Sequence, residues 1–174
     1  MTSRLLKWWL IGYLTGDSHL DRYGLRTSSS DPEIAARLRR LADSRAWIRL
    51  PSPKAKSNNR RPLYMFRFKD PEIIRWVIDL REERAYPEEP RAWLGGYLDA
   101  DGSAFKLKTM IAAELAASSW KIIRLILRIC GDLNIKTSLR VLGLNRGKIR
   151  RNPVFIVYAR PMNRIPAIKI EKIK

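Results

Sequence analysis

The sequence predicts an α+β fold of two αββαββα units related by a pseudo-twofold axis, with one helix from each unit at the central interface. Three observations carry this. The phrase Trp9-Leu-Ile-Gly-Tyr-Leu-Thr-Gly-Asp17 returns as Trp93-Leu-Gly-Gly-Tyr-Leu-Asp-Ala-Asp101, with six identities in nine positions at an offset of 84 residues. The apolar periodicities that follow each phrase come in the same order. At 174 residues and 45% hydrophobic side chains the chain can bury one sizeable core, whereas each half is small for a core of its own. Residues 1–86 and 87–174 are therefore expected to form one compact, pseudosymmetric monomer.

Leu5 to Gly16 reads as a helix carrying the first phrase. A short hairpin follows in SHLDRYGLRTSSS, with turn residues from Asp21 to Gly24. Asp31-Pro32-Glu33 reads as a helix start, with proline in the first turn and an acid complementing the dipole, and IAARLRRLA continues at helical spacing. AWIRLP and LYMFRF alternate as strands, joined by the basic loop SPKAKSNNRR. Asp70-Pro71-Glu72 opens another helix, IIRWVIDLREER, and AYPEEP leads to the second phrase. There the order recurs: a strand-like region from Ser103 to Ala116, a helix SWKIIRLILRICGDL, and strands KTSLRVL and NPVFIVYAR joined by the basic turn GLNRGKIRR. The tail NRIPAIKIEKIK matches the closing helix of the first unit poorly.

Charge narrows the function classes. The 35 Lys and Arg against 17 Asp and Glu give +18 at pH 7, which favours a polyanionic partner because each neutralised phosphate releases condensed counterions. A generally basic, ribosome-associated protein would explain that charge but not the repeated phrase. One cysteine, Cys130, excludes an internal disulfide and any multi-cysteine zinc site, and reads as a buried apolar group. With one histidine, His19, any metal must be held mainly by carboxylates, carbonyls and water, which suits a hard cation such as Mg²⁺. Basic residues precede the apolar run Trp8–Leu14, but the run is short and recurs in mid-chain, so it reads as structure and not as a signal peptide. No membrane span is expected, and the expected location is intracellular: cytoplasmic, or organellar in a eukaryote.

The phrase has a physical reading. Gly12 and Gly16 lie on one helical face, as do Gly96 and Ala100, and small residues at that spacing let two helix backbones approach closely. Each interior glycine costs roughly 1 kcal/mol against alanine, so two on one face point to packing. If the two phrases pack around a pseudo-twofold axis, Asp17 and Asp101 meet at one end. Adjacent carboxylates repel unless a cation lies between them, so the pair reads as a divalent-metal site made by symmetry. A lone aspartate in either place would read as a turn residue opening the next strand.

Leu10–Ser18 and Leu94–Gly102 resemble the two LAGLIDADG motifs of a monomeric homing endonuclease. The second is close to the motif; the first departs from it at Thr15, Gly16 and Ser18. The resemblance implies motif helices at the interface, a DNA-binding β-saddle, and Mg²⁺ bound by Asp17 and Asp101, with the carbonyls of Gly16 and Ala100 as further contributors. Mn²⁺ is expected to substitute, and Ca²⁺ to bind without supporting cleavage. It also implies a basic residue near the end of the last strand of each unit. Matching elements puts Lys69 opposite Arg160 as catalytic candidates, Arg160 stabilising charge because arginine does not readily act as a base. Glu114 could order water or be an ordinary surface carboxylate.

Strand alternation assigns candidate DNA contacts. Met65, Arg67 and Lys69 face away from Tyr64, Phe66 and Phe68; Lys136, Ser138 and Arg140 share a face; and Arg26, Ser28 and Ser30 alternate away from Leu25 and Thr27. Lys106 and Lys108 lie in the second unit's first hairpin, and Tyr158 on its last strand. Such side chains read guanine edges or anchor phosphates. Lys54, Lys56, Arg60 and Arg61, with Arg146, Lys148, Arg150 and Arg151, form equivalent basic turns suited to phosphate. The expected function is site-specific, staggered double-strand cleavage of a long DNA target by a monomer. With no splicing-domain sequence evident, the role expected is intron mobility. The alternative is a non-cleaving splicing maturase, with intron RNA as partner, or a DNA-binding regulator on the same scaffold.

Overall fold

The computed structural model describes residues 2–42, 47–49, 62–142 and 153–173, with the backbone alone for 47–49. Its first run of elements is α1 (Ser3–Gly16), β1 (His19–Asp21), β2 (Gly24–Ser29), α2 (Pro32–Leu41), β3 (Trp47–Arg49), β4 (Leu63–Phe68) and α3 (Pro71–Arg81). The second is α4 (Pro90–Asp101), β5 (Gly102–Lys106), β6 (Ile111–Ala117), α5 (Trp120–Asp132), β7 (Lys136–Leu142), β8 (Val154–Arg160) and α6 (Ile168–Glu171). Each run is αββαββα. The fold is α+β, with two four-stranded antiparallel sheets of equivalent order, β1-β2-β4-β3 and β5-β6-β8-β7. Among the described residues no helix is long and apolar enough to cross a membrane.

The local signals act as the chemistry requires. Asp31 and Asp70 cap α2 and α3, each side chain accepting from the second and third amides that follow, with proline behind the cap. The β1–β2 turn closes on Asp21, whose Oδ1 accepts from Tyr23 N at 2.7 Å. Gly24 ends it at φ +120°, where a Cβ would also strike the Phe68 carbonyl. The strand-like region after Asp101 is a hairpin, β5 and β6, because Lys106 pairs with Ile111 across a short turn. The closing helices differ: α3 has 11 residues and α6 has four.

Burial follows the strand alternation. Leu25, Thr27, Phe66 and Phe68 face inward in the first sheet, and Ile111, Ala113, Leu115, Val157 and Ala159 do so in the second. Helix α1 is buried continuously from Trp8 to Thr15, and α4 from Ala92 to Asp99. A helix apolar on all sides must be covered on all sides. One side of each meets the other helix, and another meets its own sheet, fixed by Tyr13 Oη donating to Ser28 O (3.0 Å) and Tyr97 Oη to Ala116 O (2.8 Å). Burial pushes both phenols well above their ordinary range. Cys130 is buried in α5, and burial pushes its thiol up to about 12.

Candidate functional site

The α1–α4 contact is reciprocal. A Cβ on Gly12 would overlap the Trp93 carbonyl, and a Cβ on Gly96 would overlap the Trp9 carbonyl, so each glycine receives the backbone of the opposite helix. One turn on, a Cβ on Gly16 would lie 2.9 Å from Ala100 Cβ and 3.3 Å from Asp101 Oδ2. The small residues at the end of each phrase thus face each other and bring the acid-bearing ends together.

Asp17 and Asp101 are both solvent-exposed by residue, yet the dense protein beside them removes enough water to raise both carboxyls above the ordinary carboxylate range. For Asp101 the negative charge of Asp17 raises it further, while Lys169 and Arg81 pull both acids back. Those two cations are anchored on the helix ends. Arg81 donates to the carbonyls of Leu14 (2.7 Å), Thr15 (3.0 Å) and Ser18 (2.8 Å) and to Ser18 Oγ (3.1 Å). Lys169 Nζ donates to the carbonyls of Leu98 (3.1 Å) and Gly102 (2.6 Å). Leu98 and Gly102 are the counterparts of Leu14 and Ser18, so both helices end on a cation in the same way.

Sequence reasoning missed Arg81 and Lys169. Arg81 looks like one more charge in LREER, and Lys169 sits in a tail that matches the closing helix of the first unit poorly. It also missed Asp99. This buried carboxylate accepts from Trp9 Nε1 (2.9 Å), Ile168 N (2.8 Å) and Lys169 N (2.9 Å), joining α1, α4 and the start of α6. The only signal was its place in the LDAD run, where the first phrase has Thr15. Thr15 Oγ1 turns to its own helix, donating to Ile11 O at 2.7 Å.

The remaining candidates lie on the two sheets. Lys69 and Arg160 are exposed at equivalent places, directly after β4 and at the end of β8. The cations felt by Asp17 and Asp101 are Arg81 and Lys169 rather than these two. On the open face of the first sheet Arg26 stands directly opposite Arg67, with Ser28 opposite Met65. Arg67 also pairs with Asp21 at 3.1 Å and lies 5.1 Å over the Tyr23 ring. Ser30 is exposed just past β2. In the second sheet Lys136 stands opposite Arg160, Ser138 opposite Tyr158, and Arg140 opposite Ile156. Glu114 and Ser103 continue the Tyr158 row, and Phe105 stacks beside Tyr158 at 5.8 Å. Lys106 falls on the face of its partner Ile111, and Lys108 lies in the turn between β5 and β6. Lys54, Lys56, Arg60, Arg61, Arg146, Lys148, Arg150 and Arg151 lie outside the described residues.

As a metal centre, the expected donors are the carboxylates of Asp17 and Asp101, with the carbonyls of Gly16 and Ala100, which directly precede them in the chain. Among the described residues no cluster of three or more Asp, Glu, His or Cys forms. These are hard oxygen donors, and a mutually repelling carboxylate pair open to solvent fits a divalent cation that keeps several waters.

No protein-family model matches the sequence, and no curated protein matches it. Solved structures do. A point variant of I-DmoI in complex with its target DNA in the presence of Mn aligns with a TM-score of 0.56 at 16% identity, over 93% of this chain and 90% of that one. The N-terminal LAGLIDADG domain of DUF199/WhiA aligns at 0.56 and 13% identity, over 90% and 76%. Full-length DUF199/WhiA from Thermatoga maritima aligns at 0.58 and 12% identity, over 99% of this chain and 59% of that one. At these identities the likeness is one of architecture: the chain has the LAGLIDADG fold.

Proposed function

We propose that this protein is a site-specific DNA endonuclease that cuts both strands of a long duplex target with the help of a divalent cation held by Asp17 and Asp101. The observation that carries this reading is the acid pair itself, at the adjoining ends of two helices that meet through reciprocal glycine contacts. A bound Mg²⁺ would supply Lewis acidity and a more acidic water. The two acids, with the Gly16 and Ala100 carbonyls, would hold it. The open faces of the two sheets would hold the duplex. Arg26 against Arg67, with Asp21 as their shared counterion, and Lys136 against Arg160 put two cations side by side on each sheet, an arrangement that suits phosphate contacts. Lys69 and Arg160 would stabilise charge on the scissile phosphates. The two halves, 1–86 and 87–174, would each serve one strand, in an intron-mobility role.

One observation favours a second reading, a non-cleaving maturase or DNA-binding regulator: two cations, Arg81 and Lys169, already offset part of the charge of the two acids. Incubation of a randomised duplex library with Mg²⁺, against a Ca²⁺ control, separates the two. Recurrent staggered breaks in Mg²⁺ alone support the endonuclease. Binding without breaks supports the second reading, and a library of RNA then tests the maturase.

A further inference from the structure

We infer that Arg81 and Lys169 are matched internal counterions, each anchored on the carbonyls that end one motif helix, and that together they partly offset the charge of the Asp17–Asp101 pair until a divalent cation does so in full. This rests on the reading of the two acids as cation ligands, and the test below separates the failure of one from the failure of the other.

Three features carry it. First, the anchoring is equivalent in the two halves: in each, the cation takes the carbonyl three residues before the acid and the one just after it. Second, the two cations reach that place by different routes. Arg81 ends an 11-residue helix, whereas Lys169 belongs to a four-residue helix held at its start by Asp99. The residue types differ and the spacing from the acids differs, so what the halves share is the charge and its position. Third, each cation feels both acids, not only the nearer one. Burial lowers the affinity of Arg81 and Lys169 for their protons; Asp17 and Asp101 both act to restore it, after Tyr97 for Arg81 and after Asp99 for Lys169. Arg81 and Lys169 thus stand with Asp17 and Asp101 at the meeting point of the helices, and the buried Asp99 is a further acid beside Lys169.

A cation at a helix C-terminus is also favourable through the helix dipole alone. The two roles differ in one respect. A capping cation is lost at the same cost whatever the solution contains, whereas a counterion can be replaced by an added cation. The experiment is the thermal midpoint of the DNA-free protein in chelator and in millimolar Ca²⁺, for wild type, Arg81→Met, Lys169→Met, Arg81→Lys and Lys169→Arg. The two Met variants are expected to lose stability in chelator and to regain more than half of the lost midpoint in Ca²⁺. The charge-conserving variants should follow wild type. Adding Asp17→Asn to Lys169→Met should restore the chelator midpoint and remove the Ca²⁺ response. Equal losses in both solutions, with no restoration by Asp17→Asn, overturn the inference. If Lys169→Met alone does not fold, the double variant must, and an unfolded double variant overturns it too. If Ca²⁺ changes nothing but Asp17→Asn still restores Lys169→Met, the counterions stand and the cation-ligand reading falls.

Discussion

Asp17 and Asp101 stand where solvent reaches them and where neighbouring protein makes their charge costly, a combination that suits a ligand more than a structural residue. Asp17→Asn or Asp101→Asn should lower cleavage on the order of 10²–10³-fold, the range seen when one preorganised charge-stabilising group is lost, while duplex binding persists in a gel-shift assay. Undiminished cutting by either variant would sink the paired site. Their titration has a defined sign. Both carboxyls lie above the ordinary value near 3.8, so the folded state holds protons more tightly than the unfolded chain. Their penalty is absent below that value and grows as pH rises through the raised ones. In the window that opens at about pH 4, Asp17→Asn should therefore gain stability relative to wild type in chelator, read from denaturation midpoints. A constant difference across that window would contradict it. Asp99 has the opposite character, since it is buried and satisfies three N–H donors. Asp99→Leu would orphan all three at a cost of about 3–5 kcal/mol, by analogy with one partner removed from a buried charged network. Asp99→Asn keeps an acceptor and should cost less.

The motif helices show how spacing becomes geometry. Gly12 and Gly96 are there because a backbone occupies the space a side chain would need, and the clash is with carbonyls that cannot swing aside. Gly12→Ala or Gly96→Ala should each cost about 1–3 kcal/mol or more, as overpacking does. Gly131 is the control: it lies in α5 with nothing within 4 Å of an added Cβ, so Gly131→Ala should stabilise by about 0.4–1 kcal/mol. Urea denaturation of the three variants tests the contrast, and equal effects would refute it. The strands owe less to propensity than to facing. β7 is exposed along almost its whole length, so its pattern of Lys136, Ser138 and Arg140 on one face and Leu139 on the other places it in the sheet without a core to hold it. Capping was readable where Asp-Pro-Glu occurs, at α2 and α3. It was not readable for α4 and α5, whose N-caps, Glu89 and Ser119, make no side-chain cap hydrogen bonds.

Across the whole molecule, ion pairs join the two runs of elements at their rims: Lys121 with Glu82 at 2.5 Å, Arg124 with Glu83, and Lys172 with Asp31 at 2.6 Å. Exposed pairs of this kind contribute about 0–1 kcal/mol each, so the central helix contact and not the rim holds the halves together. The net charge of +18 predicts duplex binding that weakens on the order of 10³-fold or more from 50 to 200 mM salt, if about six or more phosphates are neutralised. A flat salt response in a filter or gel titration would count against the open sheet faces as the DNA surface. Repeat, helix order, strand faces and the acid pair were legible along the chain because each is a local pattern: a recurring phrase, a period of 3.6 or 2, or two small residues four apart. The partners of the acids were not. Arg81 lies 64 residues from Asp17, and Lys169 lies 68 from Asp101, in segments whose local pattern marks only a helix end and a tail. Nor could the buried role of Asp99 be read, since its donors come from Trp9 and from the amides that open α6. Spacing sets which residues share a face; which charges meet across that face depends on how distant segments close over it.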